Sequence, residues 1–256
     1  MDNDNKKIVL SLIDTFQEAG KIALNLRDKG LEKIIKEDGT PVTNGDLEVN
    51  KVITLKIQNI TPDIPIVSEE SSINKNLNNL DNFWLIDPID GTFDYINNKE
   101  EFTLNAALIF NKEPVLGIIY APAKKRLFYS HGKDNSYEIK DNKTKKLTAG
   151  KDESNHSLKA LTYSDKIKSE ILNIHKKYNI SENLKMKSSL KFCVIASGEY
   201  DLYVADPRAC EWDIAAGHAI LNHAGGSVTD WDGKKILYGK KDFKNPGIIL
   251  KGYKLQ

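Results

Sequence analysis

Nine residues, Trp84-Leu85-Ile86-Asp87-Pro88-Ile89-Asp90-Gly91-Thr92, constrain this chain more than any other stretch. They open as an apolar run suited to a buried strand and close in a turn that carries two carboxylates three residues apart. Pro88 has no backbone N–H to give to a ladder, so the strand is expected to stop near Asp87. Asp87, the carbonyl of Ile89 and Asp90 can then converge on one point as hard oxygen ligands, which suit Mg²⁺, Mn²⁺ or Ca²⁺ rather than zinc. Gly91 permits close backbone approach, and the Thr92 hydroxyl sits at the mouth of a short following helix, where free amides attract anions. Metal plus phosphate is one reading. The other is a plain turn, since Asp, Pro and Gly are ordinary turn formers, and the rest of the chain has to decide.

The remaining composition removes several function classes. A chain of 256 residues with a formal net charge of +1 has no electrostatic footprint for nucleic acid or an anionic membrane surface. Its two cysteines, Cys193 and Cys210, form no CxxC pair and stand beside no histidine at metal spacing, which removes zinc and redox motifs. Met1–Lys7 is followed by no long apolar stretch, and no transmembrane run is present, so a cytoplasmic chain with reduced thiols is expected.

Hydrophobic periodicity supplies the elements. Residues 6–29 read as an amphipathic helix through Ile8, Leu12, Phe16, Ala19, Ala23 and Leu26, stopped by Gly30. Residues 36–43 read as a loop or loose hairpin, and a second helix runs from Asn44 to Ile60 with Asp46 in its first turn. A short strand, Ile64–Val67, leads into Glu69-Glu70, a pair that solvent usually claims, and an Asn-rich loop covers 72–82. After Thr92 an antiparallel meander is expected, with strands at Thr103–Phe110, Val115–Tyr120, Leu127–Ser130 and Tyr137–Ile139. A soft boundary lies near 150–157 and divides the chain into 1–150 and 151–256. Beyond it strands at 158–163 and 202–205 alternate with helices at 165–178, 188–198 and 214–223. The last strands lie around Val228 and Pro246–Leu250. The fold class is therefore an α+β first half packed on an α/β second half, in layers.

Two places in the second half carry chemistry. Asp213 precedes Ile214-Ala215-Ala216-Gly217, whose small residues let something pack tightly on a helix. It is either a helix-start carboxylate or a ligand reaching a metal across the boundary. Ser188-Ser189-Leu190-Lys191 opens a helix with hydroxyls and a cation, which is either an N-cap with a solvated lysine or an anion site. His218 and His223 read as packing or surface residues.

Glu69-Glu70, then Asp87-Pro88-Ile89-Asp90-Gly91-Thr92, then Trp212-Asp213 followed by small residues together resemble the inositol monophosphatase-like superfamily of Mg²⁺-dependent, lithium-sensitive phosphatases. Within it the chain is most similar to the CysQ-type 3'(2'),5'-bisphosphate nucleotidases. Segments 61–70, 101–105, 117–122, 188–193, 212–219 and 245–247 carry that similarity along nearly the whole length. The resemblance implies a layered α/β sandwich. It implies that Glu69, Asp87, the Ile89 carbonyl, Asp90 and Asp213 hold two or three Mg²⁺ ions, with Mn²⁺ as a substitute and Li⁺ and Ca²⁺ as inhibitors. Asp46 and Thr92 match the pair that positions and activates the attacking water. The substrate would touch Glu69, Ile89, Asp90, Gly91, Thr92 and Asp213, with Ser188 and Lys191 near the nucleotide. The implied reaction takes adenosine 3',5'-bisphosphate, and also its sulfated analogue, to AMP-type products. Inositol or sugar phosphate hydrolysis and a catalytically silent metal- or nucleotide-binding protein are the alternatives. Monomer and homodimer are both compatible, as is peripheral association with the inner membrane. Two positions depart from the nucleotidase pattern: Phe93-Asp94-Tyr95 stands where Lys-Glu-Phe is usual, and Lys187 replaces the glycine before Ser-Ser-Leu-Lys.

Overall fold

Periodicity of two in one strand sets the layers. In the computed structural model, which describes residues 2–36, 39–71, 74–75, 80–151 and 157–256, α1 (Asp2–Lys29) is followed by a hairpin of β1 (Lys33–Ile35) and β2 (Pro41–Thr43), then α2 (Asn44–Ile60). Next come β3 (Ile66–Ser68), β4 (Phe83–Asp90), the short α3 (Thr92–Ile96), β5 (Thr103–Phe110), β6 (Glu113–Ala121), β7 (Arg126–Ser130), β8 (Ser136–Lys140) and β9 (Lys143–Lys146). Strands β3 to β9 form a seven-stranded sheet in sequence order, antiparallel except for the β3–β4 pair. Successive side chains of β4 point to opposite faces. Trp84 and Ile86 pack with Val9, Leu12 and Phe16 of α1 and Val49, Ile53 and Ile57 of α2, whereas Phe83 and Leu85 face the other way.

What covers that other face comes from the second half. After β10 (Lys159–Thr162), α4 (Ser169–Lys177) and β11 (Glu182–Lys185), the chain forms α5 (Leu190–Ala196), β12 (Leu202–Ala205), α6 (Glu211–His223), β13 (Ser227–Asp230) and β14 (Ile248–Lys251). These strands make a five-stranded mixed sheet in the order β11-β10-β12-β14-β13. Helices α5 and α6 fill the space between the two sheets: Phe192, Ala216 and Ile220 share one core with Leu85, Ile119 and Phe128 on one side and Tyr203 and Leu250 on the other. Ile171 and Ile174 of α4 pack beneath Leu202 and Val204 on the outer face of the small sheet. The layers thus run helix, sheet, helix, sheet, helix. The small residues of α6 serve close packing: a Cβ at Gly117 of β6 would lie 2.4 Å from the Ala216 carbonyl oxygen.

The structure departs from the sequence reading in instructive places. Strand β4 continues through Pro88 to Asp90 instead of ending at Asp87, because the proline falls in a bulge where the ladder needs no N–H. The helix expected from Ser188 starts at Leu190, since Ser188 has φ +54°, a left-handed conformation outside any helix. The helix expected at 165–178 begins at Ser169, and α6 starts at Glu211, one turn ahead of its expected start at Ile214. Three strands not expected, β1, β9 and β11, are fully exposed edges with no apolar alternation to betray them. Parts of the expected 36–43 and 72–82 loops and of the boundary near 150–157 lie outside the described residues. Among the described residues no helix is long and apolar enough to cross a membrane.

Candidate metal centre and adjoining cleft

The bulge is what makes the centre. In a regular strand, residues three apart face opposite sides. Here Asp87 pairs with Asn105 and Asp90 with Thr103, so three steps on β4 match two on β5 and the extra residue returns Asp90 to the side of Asp87. Glu69 extends β3, its N–H donating to the Ile86 carbonyl at 3.0 Å, and so arrives beside Asp87. Asp213 enters from the second half as the third residue of α6, where its Oδ2 accepts from the Cys210 N–H at 2.7 Å. Carboxylate oxygens of Glu69, Asp87 and Asp213 lie within 4.8 Å of one another.

Such a cluster is electrostatically unbalanced. Burial first, and then the charges of Glu69, Asp90 and Asp213, push the Asp87 carboxyl well above the usual carboxylate range. Asp213 is pushed up by burial and by Asp90 and Glu69, and Glu69 is raised to about 7, chiefly by burial. Asp87 is fully buried, yet neither of its side-chain oxygens has a hydrogen-bond partner. Two orphaned carboxylate oxygens facing further carboxylates fit a hard divalent cation, which would satisfy the lone pairs and reverse the repulsion.

Around this cluster the other sequence-predicted residues take distinct places. Asp46 caps its own helix: Oδ2 accepts from Thr43 N–H at 2.8 Å and Thr43 Oγ1 at 2.6 Å. Its other oxygen, Oδ1, faces Thr92 Oγ1 at 3.4 Å, and the Thr92 hydroxyl also lies 3.0 Å from the Ile89 carbonyl. Burial raises Asp46 to about 6. Gly91 has φ +91°, and a Cβ there would sit 2.8 Å from the Glu101 carbonyl, so only glycine fits this corner. Glu70, expected to be solvated, has a buried side chain and pairs with Lys36 at 2.7 Å.

The serine that reaches the centre is Ser189, not Ser188. Ser189 N–H donates to Asp90 Oδ2 at 2.5 Å, and its hydroxyl lies 2.6 Å from both Asp90 Oδ2 and the Asp213 carbonyl, while accepting from Asn105 Nδ2 at 3.0 Å. Ser188 offers its carbonyl to the Lys191 ammonium and lines, with Lys191, a cleft of about 230 Å³. Asp90 and Asp213 line the same cleft, as do Tyr163, Tyr203 and Arg208. The Arg208 guanidinium stacks 3.2 Å from the Tyr163 ring centre and donates to Tyr203 Oη at 3.3 Å. Burial lowers the Lys191 ammonium to about 8. Lys36, Ser189 and Arg208 escaped the sequence reading. Of these, Ser189 stood within the hydroxyl-bearing Ser188-Ser189-Leu190-Lys191 segment without a role of its own, and Lys36 and Arg208 carried no local signal. His218 and His223 lie off the centre, bonded to Tyr238 and Ser130.

Comparison with known proteins gives the family and the fold. The model of the inositol monophosphatase family matches residues 4–255. The 3'(2'),5'-bisphosphate nucleotidase CysQ of Salmonella typhimurium is 34% identical over 241 residues, 93% of this chain and 96% of that protein. Its counterpart in Buchnera aphidicola is 36% identical over 256 residues, covering 97% and 95%. Among solved structures, CysQ from Bacteroides thetaiotaomicron, a bacterial member of the inositol monophosphatase family, superposes with a TM-score of 0.75 at 28% identity, covering 95% of this chain and 96% of that one.

Proposed function

The chain belongs to the inositol monophosphatase family, and from that premise we propose that it is a 3'(2'),5'-bisphosphate nucleotidase that removes the 3'-phosphate of adenosine 3',5'-bisphosphate. The observation that carries the substrate reading is the make-up of the cleft. Carboxylates of the metal cluster and the cations Lys191 and Arg208 line one cavity, which suits a molecule with one phosphate at the metals and a second anionic group beyond it.

Glu69, Asp87, the Ile89 carbonyl, Asp90 and Asp213 are the proposed holders of two or three Mg²⁺ ions. Bound there, the ions would neutralise the phosphate and lower the pKa of the attacking water. The chain's own residues do the rest. Asp46 and Thr92 orient the water, with Thr92 Oγ1 bridging toward Asp46 Oδ1, and an Asp46 carboxyl that titrates at about 6 is matched to accepting a proton near neutral pH. Lys191 and Arg208 anchor the second phosphate and so fix the ribose against the cluster. Water attacks in line as its proton passes to Asp46, the bond between phosphorus and the 3'-oxygen breaks, the ribose oxygen takes a proton from solvent, and AMP and inorganic phosphate form without a covalent enzyme intermediate. The paired Asp46 and Thr92 favour an active enzyme over a silent binding protein.

A phosphate-release panel with Mg²⁺ tests the assignment, comparing adenosine 3',5'-bisphosphate, its sulfated analogue, inositol 1-phosphate and fructose 1,6-bisphosphate. The adenosine compound should give the highest kcat/KM. Preferential turnover of inositol phosphate would overturn the nucleotide assignment, and no turnover with metal bound would restore the binding-protein reading.

A further inference from the structure

The two positions at which this sequence departs from the nucleotidase pattern meet across the junction of the two halves. Phe93 stands 62% exposed on α3, and the Lys187 ammonium lies 5.0 Å from its ring centre. The same ammonium pairs at 3.3 Å with Asp94 Oδ1, on a carboxylate that is 2% exposed, and the Lys187 backbone N–H donates to Glu101 Oε2 at 3.0 Å. Lys187 is therefore held at both its backbone and its side chain, by acceptors on α3 and on the segment that follows it. A lysine at this position does not project into the cleft as a free cation.

What those bonds hold is the turn that delivers Ser189. Met186 N–H is fixed to the small sheet through the Thr162 carbonyl at 2.9 Å, Ser188 occupies the left-handed region, and Ser189 then grips Asp90 with its N–H and hydroxyl. A non-glycine residue at positive φ persists only where its neighbours are pinned. The pins on the Lys187 side are the Asp94 and Glu101 bonds.

We propose that Lys187 is a positioning residue for the metal centre: its latch onto Asp94 and Glu101 sets the 187–189 turn so that Ser189 clamps Asp90 in the orientation a bound cation requires. The inference rests on the reading of Asp90 as a metal ligand and is independent of what the substrate is. Outer partners of a ligand fix its direction and tune affinity, which is the effect expected here at one further remove. The latch is also separable from folding. Lys99 Nζ sits 3.4 Å from the same Asp94 oxygen, so removal of Lys187 leaves no buried carboxylate unpaired.

The test titrates Mn²⁺ into the full-length, chelator-stripped protein and follows free Mn²⁺ by electron paramagnetic resonance, with amide hydrogen exchange at Ser189 as a second readout. Lys187→Met should weaken Mn²⁺ binding by about tenfold, the lower end of the loss typical for an outer partner, and speed exchange at Ser189. Lys187→Arg should restore both, and Ser189→Ala, which removes the hydroxyl half of the clamp, should weaken Mn²⁺ at least as much as Lys187→Met. A purely structural lysine would lower the melting temperature without moving Mn²⁺ affinity. Wild-type Mn²⁺ binding and exchange in K187M, unchanged binding in S189A, or a K187M chain that fails to fold would each overturn the proposal. Absence of nucleotide turnover by the wild type would overturn the substrate assignment alone and leave the Mn²⁺ comparison standing.

Discussion

Replacing Asp46 by asparagine should make the protein more stable and inactive at once. The carboxyl titrates at about 6 in the fold against an ordinary 3.8, mainly because it is buried. At about 1.4 kcal/mol for each pH unit of that gap, ionised Asp46 costs the fold about 3 kcal/mol. The sign follows from proton counting. Below pH 3.8 the group is neutral in both states and the cost is absent. Between 3.8 and about 6 the folded state holds the proton more tightly, so stability falls as pH rises, and above 6 the full cost is present. Asparagine keeps the shape of the neutral acid, with its oxygen able to accept from Thr43 N–H and Oγ1 as Oδ2 does. Loss of a negative charge in the first turn of α2 returns about 0.3–1 kcal/mol. The net gain at pH 8 is then about 2 kcal/mol, or roughly 4–8 °C in melting temperature for a chain of this size. Urea denaturation in chelator at pH 8, 6 and 5 checks this, with the difference between variant and wild type shrinking as pH falls. Phosphate release by the same variant should fall by about 10²–10⁴, the usual share of a positioned base. A variant equal to or weaker than wild type at pH 8, with an unchanged pH dependence, would refute the argument.

Other expectations follow from the same geometry. Mg²⁺ at a hundred times its Kd should stabilise the wild type by about 2.7 kcal/mol, and differential scanning fluorimetry should show Asp87→Asn losing most of that response, while the metal-free variant is no less stable because an unpartnered buried charge is gone. Gly91→Ala should cost at least about 1–2 kcal/mol in urea denaturation, since alanine is strained at φ +91° and its Cβ meets the Glu101 carbonyl. With the Lys191 ammonium lowered to about 8, the wild-type KM for adenosine bisphosphate should climb as pH passes 8 and that charge is lost. Lys191→Met should start with a KM raised about tenfold at pH 7 and show no further climb, which initial-rate measurements from pH 6.5 to 9.5 would settle.

Legibility in the sequence tracked locality. The bounds of α2 and β5 could be read to the residue, because capping, proline and apolar spacing are all local signals. So could the grouping of Asp87 and Asp90, though for an incomplete reason. A turn was expected to gather them, whereas a bulge within a continuing strand does so, and nothing in Pro88 itself distinguishes the two. Asp213 was open to two readings, and its capping bond to Cys210 and its approach to Glu69 and Asp87 show that one carboxylate serves as cap and cluster member together. Ser189 was missed in favour of Ser188 because the choice turns on one positive φ. Arg208 and Tyr163 were missed because their contact joins two separate loops. The largely polar β9 and β11 are invisible to pattern because edge strands shed the alternation that identifies central ones.

The grip of Ser189 on Asp90 joins residues 99 positions apart and places the centre late in the order of assembly. As the chain emerges in synthesis, Glu69, Asp87 and Asp90 can be gathered by β3, β4 and the bulge alone. Until α5 and α6 dock, the large sheet has one apolar face bare and its acidic corner lacks both Ser189 and Asp213. Such non-local closure is slow relative to hairpin formation. With the ligand set proposed above, a complete cation site would exist only in a chain whose last third has already packed; metal uptake would then report that folding is finished, and a nascent fragment would hold a divalent ion less tightly than the whole.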